Sequence, residues 1–123
     1  MAFLNDRVFD NGLTTLDTEA NVVHVTSAEA TTYAAATSTL TLGNSTSLSI
    51  AAPSDRTGGG RKVTVSAISD GSITGTGTVT HYALVDTNNS RLLATAALTA
   101  SQSVTSGNTF TLASFDIGIP DPT

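Results

Sequence analysis

Residues 77–86 read GTVTHYALVD, and this stretch decides the fold class. Val79 and Val85 share one parity, and Tyr82 and Leu84 share the other. An alternation with a period of two is typical of a β-strand, and apolar residues at both parities indicate a strand covered on both faces. The sequence therefore predicts either a central strand or a strand whose second face is covered by a partner subunit.

The rest of the chain has the composition of a β-protein. Thr occurs 23 times and Ser 14 times, and both residue types disfavour helices, whereas Thr suits strands. Turns are expected at Gly43-Asn44, at Asp70-Gly71 and in the loop 86–90. Eight short strands are predicted, at residues 21–27, 39–42, 46–52, 61–68, 77–86, 91–99, 102–105 and 109–117. This spacing predicts an all-β fold, an antiparallel β-sandwich or a jelly-roll-like barrel.

A chain of 123 residues has the length of one domain. We assign residues 21–123 to a single β-sandwich domain and residues 1–20 to an irregular N-terminal arm. The arm carries apolar residues with little alternation, and it either folds onto its own domain or docks on a neighbour. A short helix at 13–19 is one alternative within it. Residues 28–37 form either one helical turn or a loop.

The charge balance argues against two classes of partner. Five basic residues stand against ten acidic ones, which gives a net charge of -5. Lys and Arg neutralise phosphate groups, so this chain is a poor candidate for binding nucleic acid or an anionic membrane. Its apolar runs, such as residues 92–98, are far shorter than the roughly 20 residues that span a bilayer. Charges near the N-terminus interrupt any signal-peptide core, which favours synthesis in a cytoplasm.

The histidines do not indicate a catalytic site. His24 and His81 both fall within predicted strands, where we expect them to pack or to form hydrogen bonds inside a sheet. The chain has no Gly-x-Ser-x-Gly nucleophile elbow. We therefore expect no catalytic residue and no enzymatic activity.

Other motifs also favour plain structural roles. The run from Gly58 to Lys62 resembles a phosphate-binding loop, but a strand follows it where that motif needs Ser or Thr and a helix. The acidic residues are dispersed, and Asp116 and Asp121, which flank residues 117–120, are the pair that we consider for a cation. With no cysteine there is no thiolate ligand. We expect neither a cofactor nor a bound metal ion.

Several segments carry a resemblance to a known family. They are Asn5–Val8, Asp55–Arg61, Gly77–Asp86, Ser90–Ala94, Val104–Phe110 and Phe115–Ile117. These segments resemble those of small structural proteins of tailed bacteriophages, over about two-thirds of the chain. The shared motifs concern packing, so the resemblance implies a virion component and transfers no catalytic residue.

The resemblance implies a capsid decoration (cement) protein on the outer surface of the phage head, made in the cytoplasm of the bacterial host. We expect it to bind the major capsid protein and to bridge neighbouring subunits as a homo-oligomer, with a trimer favoured. Many weak contacts repeated by symmetry would add up to strong retention. The expected contact residues are Phe3, Leu4, Val8 and Phe9 of the arm, with Arg56 and Arg61 in or beside the glycine-rich loop.

Three alternatives remain open from the sequence. The protein is a tail or head-fibre component, a host-surface module that binds carbohydrate, or a small hydrolase. Binding to empty capsids, binding to glycans, and turnover that depends on His24 or His81 distinguish them.

Overall fold

The computed structural model describes residues 3–4, 12–57 and 61–119, and most of them lie in antiparallel strands. One α-helix, α1 (Thr14–Glu19), and one π-helical turn (Ala35–Thr39) are present in this part of the chain. The strands are β1 (Phe3–Leu4), β2 (Val22–Thr26), β3 (Thr41–Ser45), β4 (Ser54–Asp55), β5 (Arg61–Val65), β6 (Ile68–Ile73), β7 (Gly77–Asp86), β8 (Arg91–Val104), β9 (Thr109–Leu112) and β10 (Phe115–Ile119). The predicted all-β fold class is confirmed.

The strands form two sheets. The large sheet has seven strands in the order β1-β8-β7-β2-β3-β6-β9, and the small sheet has three in the order β10-β5-β4. Each strand pair is antiparallel, as expected for a sandwich or barrel built from hairpins and crossovers. The predicted central position of residues 77–86 is confirmed, because β7 lies between β2 and β8.

The main core lies between the two sheets. Val63 and Val65 of β5 are fully buried there, against residues of the large sheet such as Leu84. Helix α1 closes one side of this core with Leu16, which is also fully buried. Of the predicted arm 1–20, residues 14–19 therefore pack on the domain as a helix, and Phe3–Leu4 join the large sheet as β1.

A second core covers the opposite face of the large sheet. Ala83, Val85 and Leu92 are buried there beneath Ala30 and Ala36, which belong to the segment between β2 and β3. Both faces of the C-terminal half of β7 are therefore covered by this chain itself. The helical alternative for residues 28–37 is found in part, since the π-helical turn begins at Ala35.

The prediction of a strand at 46–52 is wrong. These residues are irregular apart from a single bridge between Ile50 and Val65, although the Ala51 N–H donates to the Thr64 carbonyl at 3.0 Å. The Ser47 N–H donates to the Ser45 hydroxyl at 3.1 Å. Such local side-chain bonds to the backbone compete with strand pairing, which accounts for the irregular course.

The turns predicted at Gly43-Asn44 and Asp70-Gly71 are also wrong, because both pairs lie inside strands β3 and β6. A Cβ atom on Gly43 would lie 2.4 Å from the Ser72 carbonyl oxygen, and one on Gly71 would lie 2.1 Å from Cε1 of Phe110. Gly43 therefore allows a close approach of the β6 backbone, and Gly71 leaves room for the Phe110 ring.

Other predicted strand boundaries also differ from the structure. The predicted strand 39–42 begins at Thr41 and extends to Ser45, since residues 35–39 form the π-helical turn. The predicted strands 91–99 and 102–105 form one strand, β8, because pairing with β7 resumes after a bulge. The predicted strand 109–117 is two strands, since the chain leaves the large sheet after Leu112 and enters the small sheet at Phe115. The predicted strand 61–68 ends at Val65, and Ile68 begins β6.

The predicted hairpin loop 86–90 is confirmed. The Asp86 carboxylate is buried and accepts hydrogen bonds from the Asn88 N–H at 3.0 Å and from the Asn89 amide at 2.8 Å. The residue with positive φ is Ser90, at 53°, rather than one of the asparagines. The two asparagines are instead tied to Asp86.

We predict that Gly71→Ala lowers the free energy of unfolding by about 1–3 kcal/mol, because the new methyl group overlaps the Phe110 ring. Chemical denaturation measures this change. Gly75→Ala is the matched control, since a Cβ there meets Leu42 at an ordinary 3.4 Å. A Gly71→Ala protein as stable as the Gly75→Ala protein would contradict the packing described here.

Candidate functional site

The structure places only part of the predicted N-terminal contact site. Phe3 and Leu4 form β1, which pairs with Thr95 and Ala94 at the edge of the large sheet. Val8 and Phe9 lie outside the described residues. The assignment of these four residues to a partner interface therefore stays a prediction.

The other predicted contact residues, Arg56 and Arg61, both lie at the end of the small sheet where β4 pairs with β5. Arg56 lies against Gly118 of β10, where a Cβ atom would be 2.9 Å from the Arg56 Cδ. Arg61 donates to the Asp55 carboxylate at 2.7 Å and to the Pro53 carbonyl at 3.2 Å.

Lys62 completes this group, and sequence reasoning had not placed it in the site. Its ammonium donates to the Asp116 carboxylate at 3.1 Å, across the pairing of β5 with β10. As neighbours in β5, Arg61 and Lys62 project from opposite sides of the small sheet. We call this end of the small sheet, with Arg56, Arg61, Lys62, Asp55 and Asp116, the basic face.

One of the two acidic members of the basic face, Asp116, is held in its charged form. The Thr64 hydroxyl donates to the Asp116 carboxylate at 2.7 Å, and this bond, with that from Lys62, lowers the pKa of Asp116 below its ordinary value of 3.8. The carboxylate is half exposed, so the bonds fix its orientation more than they stabilise the fold. Because the pKa of Asp116 is lowered, the ion pair with Lys62 persists to a lower pH than a pair with an ordinary aspartate would.

Both histidines lie in strands and contact threonine hydroxyls, as predicted. His24 Nδ1 is 2.8 Å from the Thr41 hydroxyl, and His81 Nδ1 is 2.8 Å from the Thr80 hydroxyl. The Thr41 hydroxyl donates to the Gly43 carbonyl at 3.1 Å, so it accepts the proton of His24 Nδ1. Burial lowers the pKa of His24 from its ordinary 6.5, because the surroundings disfavour the imidazolium.

We predict that acidification from about pH 7.5 to about pH 5.5 lowers the melting temperature partly through His24. The folded protein binds a proton at His24 less readily than the unfolded chain does, so the free energy of unfolding falls as the pH drops below about 6.5. His24→Asn should flatten this dependence while keeping a donor near the Nδ1 position.

His81→Asn is the control and should retain the wild-type pH dependence. Thermal denaturation over a pH series measures both variants. Equal slopes in the wild type and in His24→Asn would show that His24 does not carry the effect.

A groove of about 320 Å³, with both apolar and uncharged polar residues in its lining, opens between the two sheets, and sequence reasoning did not find it. Tyr82 and Phe115 line it, with ring centroids 4.3 Å apart and ring planes tilted by 40°. Leu98 and Leu112 also line it, together with small and hydroxyl-bearing residues. Burial raises the pKa of Tyr82 to about 12, so its phenol stays neutral at physiological pH.

The groove depends on an irregularity in β8. Val79 pairs with Gln102 and His81 pairs with Ala97, so only Thr80 lies opposite residues 98–101 of β8. These four residues opposite one form a large irregular β-bulge beside the groove. The sequence of residues 98–101, Leu-Thr-Ala-Ser, carries no glycine or proline that would mark a bulge.

Clustered metal ligands and membrane-spanning helices are both absent from the described residues. No three His, Asp or Glu side chains lie together there as ligands for a metal ion. No helix in the same part of the chain is long and apolar enough to cross a membrane.

Comparisons with known proteins add no relative. Neither a scan against protein-family models nor searches of curated proteins and of solved structures find a match for this chain. The resemblance to phage structural proteins therefore stays a prediction from the sequence motifs.

Proposed function

We propose that this protein is a capsid decoration protein that binds the outer surface of a tailed-bacteriophage head and stabilises the shell by bridging capsid subunits. The sequence motifs from Gly77 onward support the phage assignment. The all-β fold supports a binding role, because its surface offers preformed faces for contact. The basic face is the observation that carries the proposal.

The charges of the described residues are distributed unevenly between the basic face and the rest of the molecule. It holds three of the four basic residues in the described part of the chain, against two acidic ones. Elsewhere in that part, the one basic residue, Arg91, stands against five acidic residues and lies 3.5 Å from Glu19. A protein with this polarity approaches an acidic surface with the basic face forward. We infer that the acidic surface belongs to the major capsid protein.

Charge sets orientation and encounter rate more than affinity, because exposed ion pairs contribute little each. The affinity would come from apolar contacts of the N-terminal residues Phe3, Leu4, Val8 and Phe9. Repetition over a homo-oligomer, with a trimer favoured, would multiply these contacts into strong retention. The complete protein would then lie on the outside of the head after assembly in the host cytoplasm.

We predict that the double variant Arg56→Gln/Arg61→Gln binds more weakly to empty, expanded capsids of the phage that encodes the protein. Cosedimentation over a series of salt concentrations measures the binding. The wild type should bind and raise the capsid melting temperature, and the double variant should lose affinity and show a shallower salt dependence. Arg91→Gln also removes one positive charge, but away from the basic face, and should leave binding nearly unchanged.

Two outcomes contradict this proposal. A wild-type protein that does not bind capsids and leaves their melting temperature unchanged would exclude a decoration role. Particle images that show the protein on the tail would identify it as a tail component instead.

We predict that Val8→Ser/Phe9→Ser reduces the number of copies retained per particle, because these residues supply apolar contact area. This variant keeps Phe3–Leu4 and so leaves β1 available to pair with β8. Deletion of residues 2–10 should reduce retention at least as far. Quantitative mass spectrometry of purified particles measures the copy number, and unchanged occupancy in both variants would defeat the role of the arm.

A further inference from the structure

The groove lined by Tyr82 and Phe115 adjoins a strand edge that is open in the described part of the chain. β8 pairs with β7 on one side, and on its other side β1 covers it only at Ala94 and Thr95. Among residues 3–4, 12–57 and 61–119, no strand pairs with that outer side from Ala96 to Val104. We call Ala96–Val104 the open edge. Its outward backbone groups are a template for an added strand.

The open edge lacks the usual chemical protection against pairing. Residues 96–104 read AALTASQSV, with no charged residue and no proline. Native edges are commonly protected by lysine, by proline or by a bulge. Only the bulge at 98–101 is present here, and it interrupts the edge instead of removing its pairing groups.

The groove supplies a place for a side chain next to that edge. Leu98, Thr99 and Gln102 of the open edge line it directly, opposite Leu112 and Phe115. Its lining contains no carboxylate, ammonium, guanidinium or imidazole group. A volume of about 320 Å³ accommodates one or two large apolar side chains. A charged side chain would lose its hydration there without finding a partner.

We infer that the open edge and the groove together bind a short, extended, uncharged segment of a partner polypeptide, which adds to β8 as a strand and seats an apolar side chain in the groove. Main-chain hydrogen bonds supply affinity in this mode of recognition, and the pocket supplies specificity. β1 already shows that this side of β8 accepts an antiparallel strand. The added segment continues the row that β1 begins.

A second copy docking as a rigid body fits this surface less well than a segment does. A stable dimer buries about 1,200–2,000 Å², which is far more surface than a groove with room for one or two side chains supplies. The open edge and the basic face share no residues. The inference therefore stands or falls independently of binding to capsids.

The test uses the full-length protein and an array of capped heptapeptides. One half of the array contains uncharged residues only, and the other half has Lys or Glu at the central positions. Ala113→Trp fills the groove from an exposed position in the connection between β9 and β10. Ala67→Trp is the matched control, because Ala67 is also exposed and lies in the connection between β5 and β6, outside the groove.

We expect the wild type and Ala67→Trp to select uncharged peptides with large apolar residues at alternate positions. Ala113→Trp should bind the same peptides about tenfold more weakly or worse, which corresponds to about 1.4 kcal/mol or more. Hydrogen exchange should show slower exchange of the amides in Ala96–Val104 when the selected peptide is bound. Circular dichroism of Ala113→Trp establishes that the variant is folded.

Three results would overturn the inference. The first is an array in which no peptide distinguishes the wild type from Ala113→Trp. The second is self-association in sedimentation that Ala113→Trp abolishes, which would assign the groove to a second copy. The third is saturable glycan binding that Ala113→Trp abolishes while peptides do not bind, which would assign the groove to a carbohydrate.

Discussion

The burial of β7 on both faces is the constraint on which the architecture depends. Leu84 faces the core between the sheets, and Ala83 and Val85 face the core beneath the segment between β2 and β3. Burying a large apolar side chain contributes roughly 1.5–3 kcal/mol, so neither face of this strand can remain in water without cost. One strand therefore requires two coverings, and the small sheet, α1 and the π-helical turn provide them.

Threonine hydroxyls bond backbone carbonyls in the segment that joins β2 to the helical cover of the large sheet. Threonine is stiff enough to favour strands, and its hydroxyl can also satisfy a neighbouring backbone carbonyl. The fully buried Thr26 donates to the Ala28 carbonyl at 2.8 Å where the chain leaves β2, and Thr37 donates to the Tyr33 carbonyl at 2.9 Å within the helical cover. The residue type that suppresses long helices here also ends strands and closes short turns.

The sequence was sufficient to predict β7 and β2, because each strand carries apolar residues at both parities and has buried side chains on both faces. It failed at Gly43 and Gly71, since glycine is typical both of turns and of sites where two backbones approach closely. Ser72 is the close neighbour of Gly43, and Phe110 is the close neighbour of Gly71. Each neighbour lies on an adjacent strand and far away in the sequence, so no local pattern contains it. Local sequence determines which segments become strands, whereas their contacts determine where those strands bend or end.

The same distinction explains what was found of the candidate site. Arg56 and Arg61 lie close in sequence, on one loop and the strand that follows it, so their proximity in space was predictable. The groove brings Tyr82 of β7 against Phe115 of β10 through a bulge in β8 and a change of sheet after Leu112. Each of these features results from long-range packing, and no motif in the sequence indicates it.

The position of β10 in the small sheet has a consequence for synthesis on the ribosome. Val63 and Val65 lie on β5, and the strand that pairs with β5 along its length, Phe115–Ile119, comes about fifty residues later in the chain. A nascent polypeptide that has emerged only as far as β8 presents β5 without this pairing partner. Completion of the small sheet must therefore wait until Phe115–Ile119 has left the ribosome, and until then the unpaired strand is exposed to aggregation and to chaperones.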